Sequence, residues 1–495
     1  MKATVVIMKR DIPLSLVMTI LLSASITACG GDTGTLSDDT APNAKETQTG
    51  AVTEIVVPLP EIDYGGLEYK ILTAAEQWQG FYNADQTGDQ VDDAVFARNK
   101  AVEERYNITL DYVVYNGWSA GTKDVKTALA GSVMGGAAEY DLMVGTVGYT
   151  TPYISDNLFM DLYQCDVDFS NPWWYQDINA ELELRGKLYV AAGSYGLQSV
   201  SNAVVTFFNK KLVADFDLDD PYQLVKDGKW TIEKLMEMGT AVTADLNSDG
   251  KYDRADRVGL LSSFDFMLFM PNNWGHFYTT RDADGNIYVS EAAERLFDMS
   301  RVYNEIFEND AYLEVYPDFL DGTQDNNVMT DNMMKKFCAD EALFVYHKLE
   351  LATKATARNK EEYGIIPAPK FDETQDHYIT PVVNEVSAIP NLVKDAAMSA
   401  IVMDALQYYT YTDVVPVYKE IALKRKATRD NDSSEMLDII LTTMRCDFSY
   451  MFTNNIGSEL RNSISQKNLA SYAEKHYEKI QKNIDKFVEA LQEIE

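Results

Sequence analysis

The sharpest chemical pattern in the chain is a run of acids and amides. Asp245, Asn247, Asp249, Asp253 and Asp256 stand at the first, third, fifth, ninth and twelfth places of a twelve-residue stretch, with Gly250 at the sixth. Ca²⁺ is a hard cation that gathers oxygen ligands, and a loop of this length with glycine at its bend can wrap them around it. Lys251, at the seventh place, would offer its main-chain carbonyl, so its charge is immaterial. The spacing predicts a structural Ca²⁺ site built from Asp245, Asn247, Asp249, Lys251, Asp253 and Asp256. The competing account is an Asp/Asn/Gly turn that holds no metal.

A second chemistry lies in the aromatics. Sugar rings have apolar faces and polar edges, so a sugar site needs flat platforms and a few convergent hydrogen-bonding groups. The chain has 6 Trp and 30 Tyr, and five of the Trp fall in loop-like segments: Trp78, Trp118, Trp173, Trp174 and Trp274. Trp230, at a helix start, reads as ordinary packing. Any one of the five is more simply an anchor of core or loop, yet at least two of the set are expected to line a site. Glu76, Gln77 and Thr146 at strand ends, with Asn384 and Glu385, are the expected polar contacts.

Nothing marks a catalyst. The histidines (His276, His347, His377 and His476) are scattered, and Cys165, Cys338 and Cys446 have no metal or redox spacing. Asp92-Asp93 is a carboxylate pair, but at a helix start it serves the helix dipole. The formal net charge of −34 repels nucleic acid and weighs against anionic ligands.

These residues must be held by elements that the pattern reveals. Leu67–Leu72, Ile108–Val114 and Tyr140–Gly145 read as strands; Val91–Arg105, with Asp89 as its N-cap, and Asp124–Leu129 read as helices. Strand and helix in alternation specify a parallel sheet covered by helices, an α/β class. Ligands on such sheets bind beyond the carboxyl ends of the strands, which points to the loops Thr73–Gln90, Tyr115–Thr122 and Gly145–Tyr153. Around the acidic loop, Thr231–Thr243 reads as a helix and Arg257–Leu260 as a strand, which argues against a full EF-hand; Asp256 stands where an EF-hand carries Glu, and dockerin-type loops resemble this one. Asp282–Asn286 is a weaker echo, better explained as a hairpin turn.

The first residues place the chain. Lys2, Lys9 and Arg10 precede a short apolar run, Ile12 to Ile26, in the order of a secretory signal. Ile26-Thr27-Ala28-Cys29 resembles the lipobox of bacterial lipoproteins, which implies cleavage before Cys29 and a lipid on its thiol. Residues 1–28 are thus expected to be a signal peptide and 29–59 a polar tether, leaving the protein lipid-anchored on the extracytoplasmic face of the cell membrane. Loss of the signal removes three basic residues and one acidic one, so the remainder is more acidic still. The remaining length, about 440 residues, exceeds a single core.

Several stretches together carry a family resemblance. Gly88–Val95 with Arg98-Asn99 and Val102–Asn107, then Phe207–Leu212, Trp230–Leu235, Tyr363–Lys370, Lys424–Leu437 and Ser471–Gln492, resemble in order and spacing a branch of the family 1 extracellular solute-binding proteins. The resemblance runs from about Gly66 to the end. It implies a two-lobed periplasmic-binding-protein-like fold, with hinge-like crossover strands at Val204–Asn209 and Glu341–His347. One lobe would take residues 60–205 and 347–390, the other 206–346 and 391–495. It further implies a monomeric, non-enzymatic subunit that captures a mono- or oligosaccharide and delivers it to ABC permease subunits. Two other readings stay open: a surface glycan hydrolase or lyase, and a glycan-capture adhesin without a transporter.

Overall fold

A computed structural model describes residues 59–74, 81, 85–115, 118–357, 363–382, 385–424, 431–452 and 456–492. The expected signal, Cys29 and the tether lie outside the described residues, as do Glu76, Gln77, Trp78 and Asn384. Residues 59–495 form one compact unit.

The fold is α/β and two-lobed, each lobe built on a five-stranded sheet. The first sheet runs in the order Ile108–Tyr115, Leu67–Ala74, Leu142–Thr146, Glu385–Ala388, Ala191–Ala192. Its first three strands are parallel, and Glu385–Ala388 runs antiparallel to both neighbours. Leu67–Ala74 shows why the strands read clearly: Tyr69, Ile71, Leu72, Thr73 and Ala74 are all buried, as expected where helices cover both faces. The helix Gln90–Tyr106 starts where the sequence placed it, with the Asp89 carboxylate accepting from the N–H groups of Val91 and Asp92. Asp92 and Asp93 also serve this start, Asp93 accepting from the N–H groups of Thr87 and Gly88.

The second sheet runs Tyr363–Pro367, Val204–Asn209, Ala342–Lys348, Val258–Ser262, Tyr312–Glu314. Val204–Asn209 is antiparallel to both of its neighbours, and the rest pair in parallel. Ile232–Val242 covers this sheet, and its core gathers Phe208, Leu235, Met238, Leu260, Met299, Tyr303 and Phe344. Trp230 is packing, as expected, with its Nε1–H donating to the Pro367 carbonyl at 2.9 Å. Asp282–Asn286 closes the hairpin Thr279–Arg281/Ile287–Val289.

The expected lobe boundaries need correction. Val204–Asn209 and Ala342–Lys348 both lie wholly within the second sheet, paired to each other, with Phe344 opposite Phe208. The chain crosses in the stretches around them, between Ala192 and Val204 and between Pro367 and Glu385, and a third time between Tyr409 and the helix Asn431–Thr442, which packs on Tyr363–Pro367. Tyr363–Pro367, allotted to the first lobe, belongs to the second sheet because Gly364 lets the Phe208 ring lie against its backbone; a Cβ there would sit 2.6 Å from the Tyr222 hydroxyl. Conversely Ala396–Tyr409, allotted to the second lobe, packs on Gln90–Tyr106 of the first, and the Tyr69 hydroxyl donates to its Ser399 carbonyl at 2.9 Å.

Candidate functional site

Both sheets end toward the junction of the lobes. Thr146, the last residue of its strand, is buried and leads directly into the helix Val147–Ile154. Glu385 pairs with it in register, so the structure brings these two expected contacts together. Across the junction, the second sheet ends at Ser262–Ser263 and at His347–Lys348. The Phe448–Met451 turn of the second lobe packs against Val147–Ile154, forming the other wall.

The walls are aromatic, though not through the expected tryptophans. Phe266 stacks on the His347 imidazole, ring centroids 3.7 Å apart, and the Lys348 ammonium lies 6.0 Å above its ring. Phe269 and Tyr450 stack face to face at 4.9 Å with planes 6° apart. The Phe269–Tyr450 spacing is within the range that aromatic stacking favours. No sequence signal singled them out, because Phe and Tyr are abundant along the whole chain.

Trp173, Trp174 and Trp274 are corrected from ligand platforms to interior anchors. Trp173 and Trp174 are buried and donate their Nε1–H groups to the same oxygen, Asp404 Oδ1, at 2.7 and 2.8 Å. Trp274 belongs to the second-lobe core and packs on Phe371 at 5.2 Å. For Trp173 and Trp174 the paired N–H keeps the cost of burying so large an apolar surface small, whereas the Trp274 Nε1–H is buried without a hydrogen-bond partner. Trp118 opens the helix Trp118–Met134, longer than the Asp124–Leu129 expected, but its side chain lies outside the described residues. Further along the chain than Glu76, Gln77 and Trp78, the Phe81 carbonyl accepts from Asn99 Nδ2 at 3.1 Å, from the Tyr112 hydroxyl at 3.0 Å and from the buried Arg98.

The junction also gathers buried polar atoms without hydrogen-bond partners. They include Thr73 Oγ1, Ser199 Oγ, Thr206 Oγ1 and both ring nitrogens of His347, beside the buried Glu385 carboxyl. Such atoms cost stability unless something pairs them. Burial, with Lys348 and Lys354 adding to it, holds the His347 pKa well below its ordinary value. Burial pushes the Glu385 carboxyl well above the usual carboxylate range, offset in part by Lys348 and the Gln198 main-chain N–H. Glu385 packs on Gly196 in the first crossing, where a Cβ would come within 2.9 Å of the Glu385 Cβ.

The acidic loop lies apart, between the helix Ile232–Val242 and the strand Val258–Ser262, and Ala244 pairs with Arg257 to close its base. Asp245 accepts from the N–H groups of Ser248 at 2.6 Å and Gly250 at 2.9 Å. Asp249 accepts from Lys251 N–H at 2.9 Å, and Asp253 from Ala255 N–H at 2.8 Å. Asp256 is buried; the N–H groups of Asp253 and Leu246 hold its carboxyl below the usual range. Among the described residues, no three or more acidic, His or Cys side chains are gathered as a metal cluster. Each carboxylate has about four lone-pair positions, so these bonds leave acceptor capacity.

Known structures share the architecture. A cyclic α-maltosyl-1,6-maltose binding protein from Arthrobacter globiformis matches with a TM-score of 0.55 at 14% identity, over 85% of this chain and 100% of that one. A periplasmic oligogalacturonide binding protein from Yersinia enterocolitica gives 0.55 at 13%, over 85% and 100%. The galacto-N-biose/lacto-N-biose I-binding protein of an ABC transporter from Bifidobacterium longum gives 0.54 at 12%, over 87% and 99%. A de novo designed cysteine esterase also shares the fold, with a TM-score of 0.54 at 14% identity, over 86% of this chain and 99% of that one. No family model matches the chain, and no curated protein does. No helix among the described residues is long and apolar enough to cross a membrane.

Proposed function

We propose that the chain is the extracytoplasmic solute-binding subunit of an ABC importer, akin to the family 1 proteins, holding a carbohydrate between its lobes for a membrane permease. The observation that carries this reading is the set of buried, unpartnered polar atoms at the lobe junction, bordered by the Phe266 and Phe269–Tyr450 stacks. Hydroxyls on a sugar edge would pair those atoms while its apolar face lies on a ring. A ligand that touches both lobes favours the closed state, and the chain would bend where it crosses from one lobe to the other. The fold of the neighbours, all but one of them binding proteins among those named, supports capture over catalysis. The lipobox at Cys29 supports a lipid anchor. The spacing of the Asp245–Asp256 loop, with its spare acceptor capacity, supports a structural Ca²⁺ there.

A thermal-shift screen of the protein against mono- and oligosaccharides tests the reading. A ligand that binds only the folded state raises the melting temperature in proportion to the logarithm of its concentration over Kd. A sugar that shifts the melt and is recovered intact supports capture. One that is consumed favours the hydrolase or lyase, and a screen without any hit removes the carbohydrate assignment.

A further inference from the structure

We propose that a cross-lobe latch sets how far apart the two lobes stand, with Arg281 and Arg445 on the second lobe's side gripping the helix Gln176–Leu182 of the first. The inference concerns the ligand-free protein, so it goes beyond the carbohydrate reading and stands whatever the cleft takes.

Each half of the latch is fixed to its own lobe. Asn179, in the middle of the helix, donates from Nδ2 to the Ala192 carbonyl at 3.0 Å and accepts on Oδ1 from the Ala192 N–H at 2.7 Å, which ties the helix to the first sheet. Arg281 ends the first strand of the hairpin Thr279–Arg281/Ile287–Val289. Gln481 of the helix Leu469–Gln492 holds that hairpin, accepting from the Val289 N–H at 2.7 Å and donating to the Ile287 carbonyl at 2.9 Å. Arg445 stands two residues before the buried Asp447, which accepts from the N–H groups of Tyr278 at 2.6 Å and Ser449 at 2.7 Å.

The bonds between the halves are charge-assisted. An Arg281 Nη donates to the Glu181 main-chain carbonyl at 2.6 Å, and the guanidinium lies 5.5 Å from the centre of the Phe448 ring. The Arg281 Nε–H is buried without a hydrogen-bond partner, 3.8 Å from the Glu181 carboxylate. A charge-assisted bond of this kind closes at about 2.8 Å, so an approach of about 1 Å would complete it. Arg445 pairs with Asp177 at 2.8 Å, one helical turn before Glu181. Arg461, near the same wall, stays within the second lobe: it donates to the Ser449 carbonyl at 2.8 Å and lies over Tyr450. The Asp177 side chain is 64% exposed against 37% for Glu181, so salt screens the Arg445 pair the more easily of the two. Movement of the lobes toward each other gains the waiting Arg281 bond, and movement apart gives up both contacts.

Pulsed electron–electron distance measurement on the whole, ligand-free protein tests the latch. Spin labels are carried on a ketone-bearing amino acid at the exposed Glu104 of the first lobe and Glu233 of the second, which leaves the native cysteines alone. Arg281→Met and Arg445→Glu are each expected to widen the distance distribution. Arg445→Glu combined with Asp177→Arg, which restores the pair with its charges exchanged, is expected to narrow it again. The unaltered latch, carried to about 1 M NaCl where screening acts beyond about 3 Å, is expected to widen as well. Distributions that match the parent's in both single variants, in proteins that melt cooperatively, overturn the proposal. A charge-exchanged protein as broad as Arg445→Glu overturns the pairing of Arg445 with Asp177. A width that high salt leaves unchanged overturns the ionic character of the latch, and that comparison needs no latch variant.

Discussion

The imidazole of His347 lies on the ring of Phe266, with centroids 3.7 Å apart and planes 28° from parallel. The stack seals a histidine that already has only 3% of its surface exposed. Burial, then the charges of Lys348 and Lys354, keep it neutral in the fold, whereas in the unfolded chain it protonates at about 6.5. Below that pH the unfolded state binds the extra proton, so this residue's contribution to stability is full above about 6.5 and is lost as pH falls. Glu385 acts in the opposite sense, its contribution fading as pH rises through its raised folded value. Melting temperature followed from about pH 7.5 down to about pH 5 is expected to fall less steeply in His347→Leu than in the parent. An unchanged slope would show that His347 protonates as readily in the fold as outside it.

Asp404 accepts two indole N–H groups on one oxygen, which fixes a second prediction. Asp404→Ala leaves both buried donors unpaired and is expected to cost about 3 kcal/mol in urea unfolding, while Asp404→Asn, which keeps an oxygen acceptor, costs less. Trp173→Phe is expected to lower stability and leave sugar affinity unaltered, since that ring presents no surface at the cleft. A large loss of affinity with normal stability would return Trp173 to the binding site.

Gly239 and Gly259 mark a close approach of helix to sheet in the second lobe. A Cβ on Gly259 would lie 2.6 Å from the carbonyl carbon of Gly239, a distance that side chains do not tolerate. Gly259→Ala must push the helix Ile232–Val242 off the strand Val258–Ser262 and is expected to cost about 2–3 kcal/mol, read from denaturant midpoints at unchanged slope. A cost below about 0.5 kcal/mol would mean that the helix shifts freely.

What could be read from the sequence follows from how local each signal is. Leu67–Ala74, Gln90–Tyr106 and the Asp89 cap were legible because period, burial and cap chemistry sit within one short window. The lobe assignment of Tyr363–Pro367 was not, since it depends on a partner more than a hundred residues away and on a glycine that admits the Phe208 ring. The tryptophans misled for a related reason. Asn171-Pro172 made Trp173 and Trp174 look like loop residues, and the carboxylate that buries them stands at residue 404. Thr146 could be placed at a strand end because the end of a buried strand is itself a local signal, whereas its pairing with Glu385 joins residues more than two hundred positions apart. Phe266, Phe269 and Tyr450 belong to a cleft that only the fold assembles.

Lys336 decides what removing Ca²⁺ should do. Its side chain is 4% exposed, donates to the Arg254 carbonyl at 3.1 Å and to the Asp256 carbonyl, and lies 3.4 Å from Glu341. The acidic loop is therefore pinned to the helix Asn326–Cys338 by protein bonds alone, and Asp256 is already paired by main-chain N–H groups. EDTA is expected to leave the circular dichroism unchanged and to lower the melting temperature by a few degrees, which Ca²⁺ but not Mg²⁺ restores. Asp249→Ala removes an exposed carboxylate of the proposed Ca²⁺ loop, so it should abolish any Ca²⁺ response while the metal-free melt stays near that of the parent. Identical melts in Ca²⁺ and EDTA would make the segment a metal-free Asp/Asn/Gly turn, held by Asp256 and Lys336.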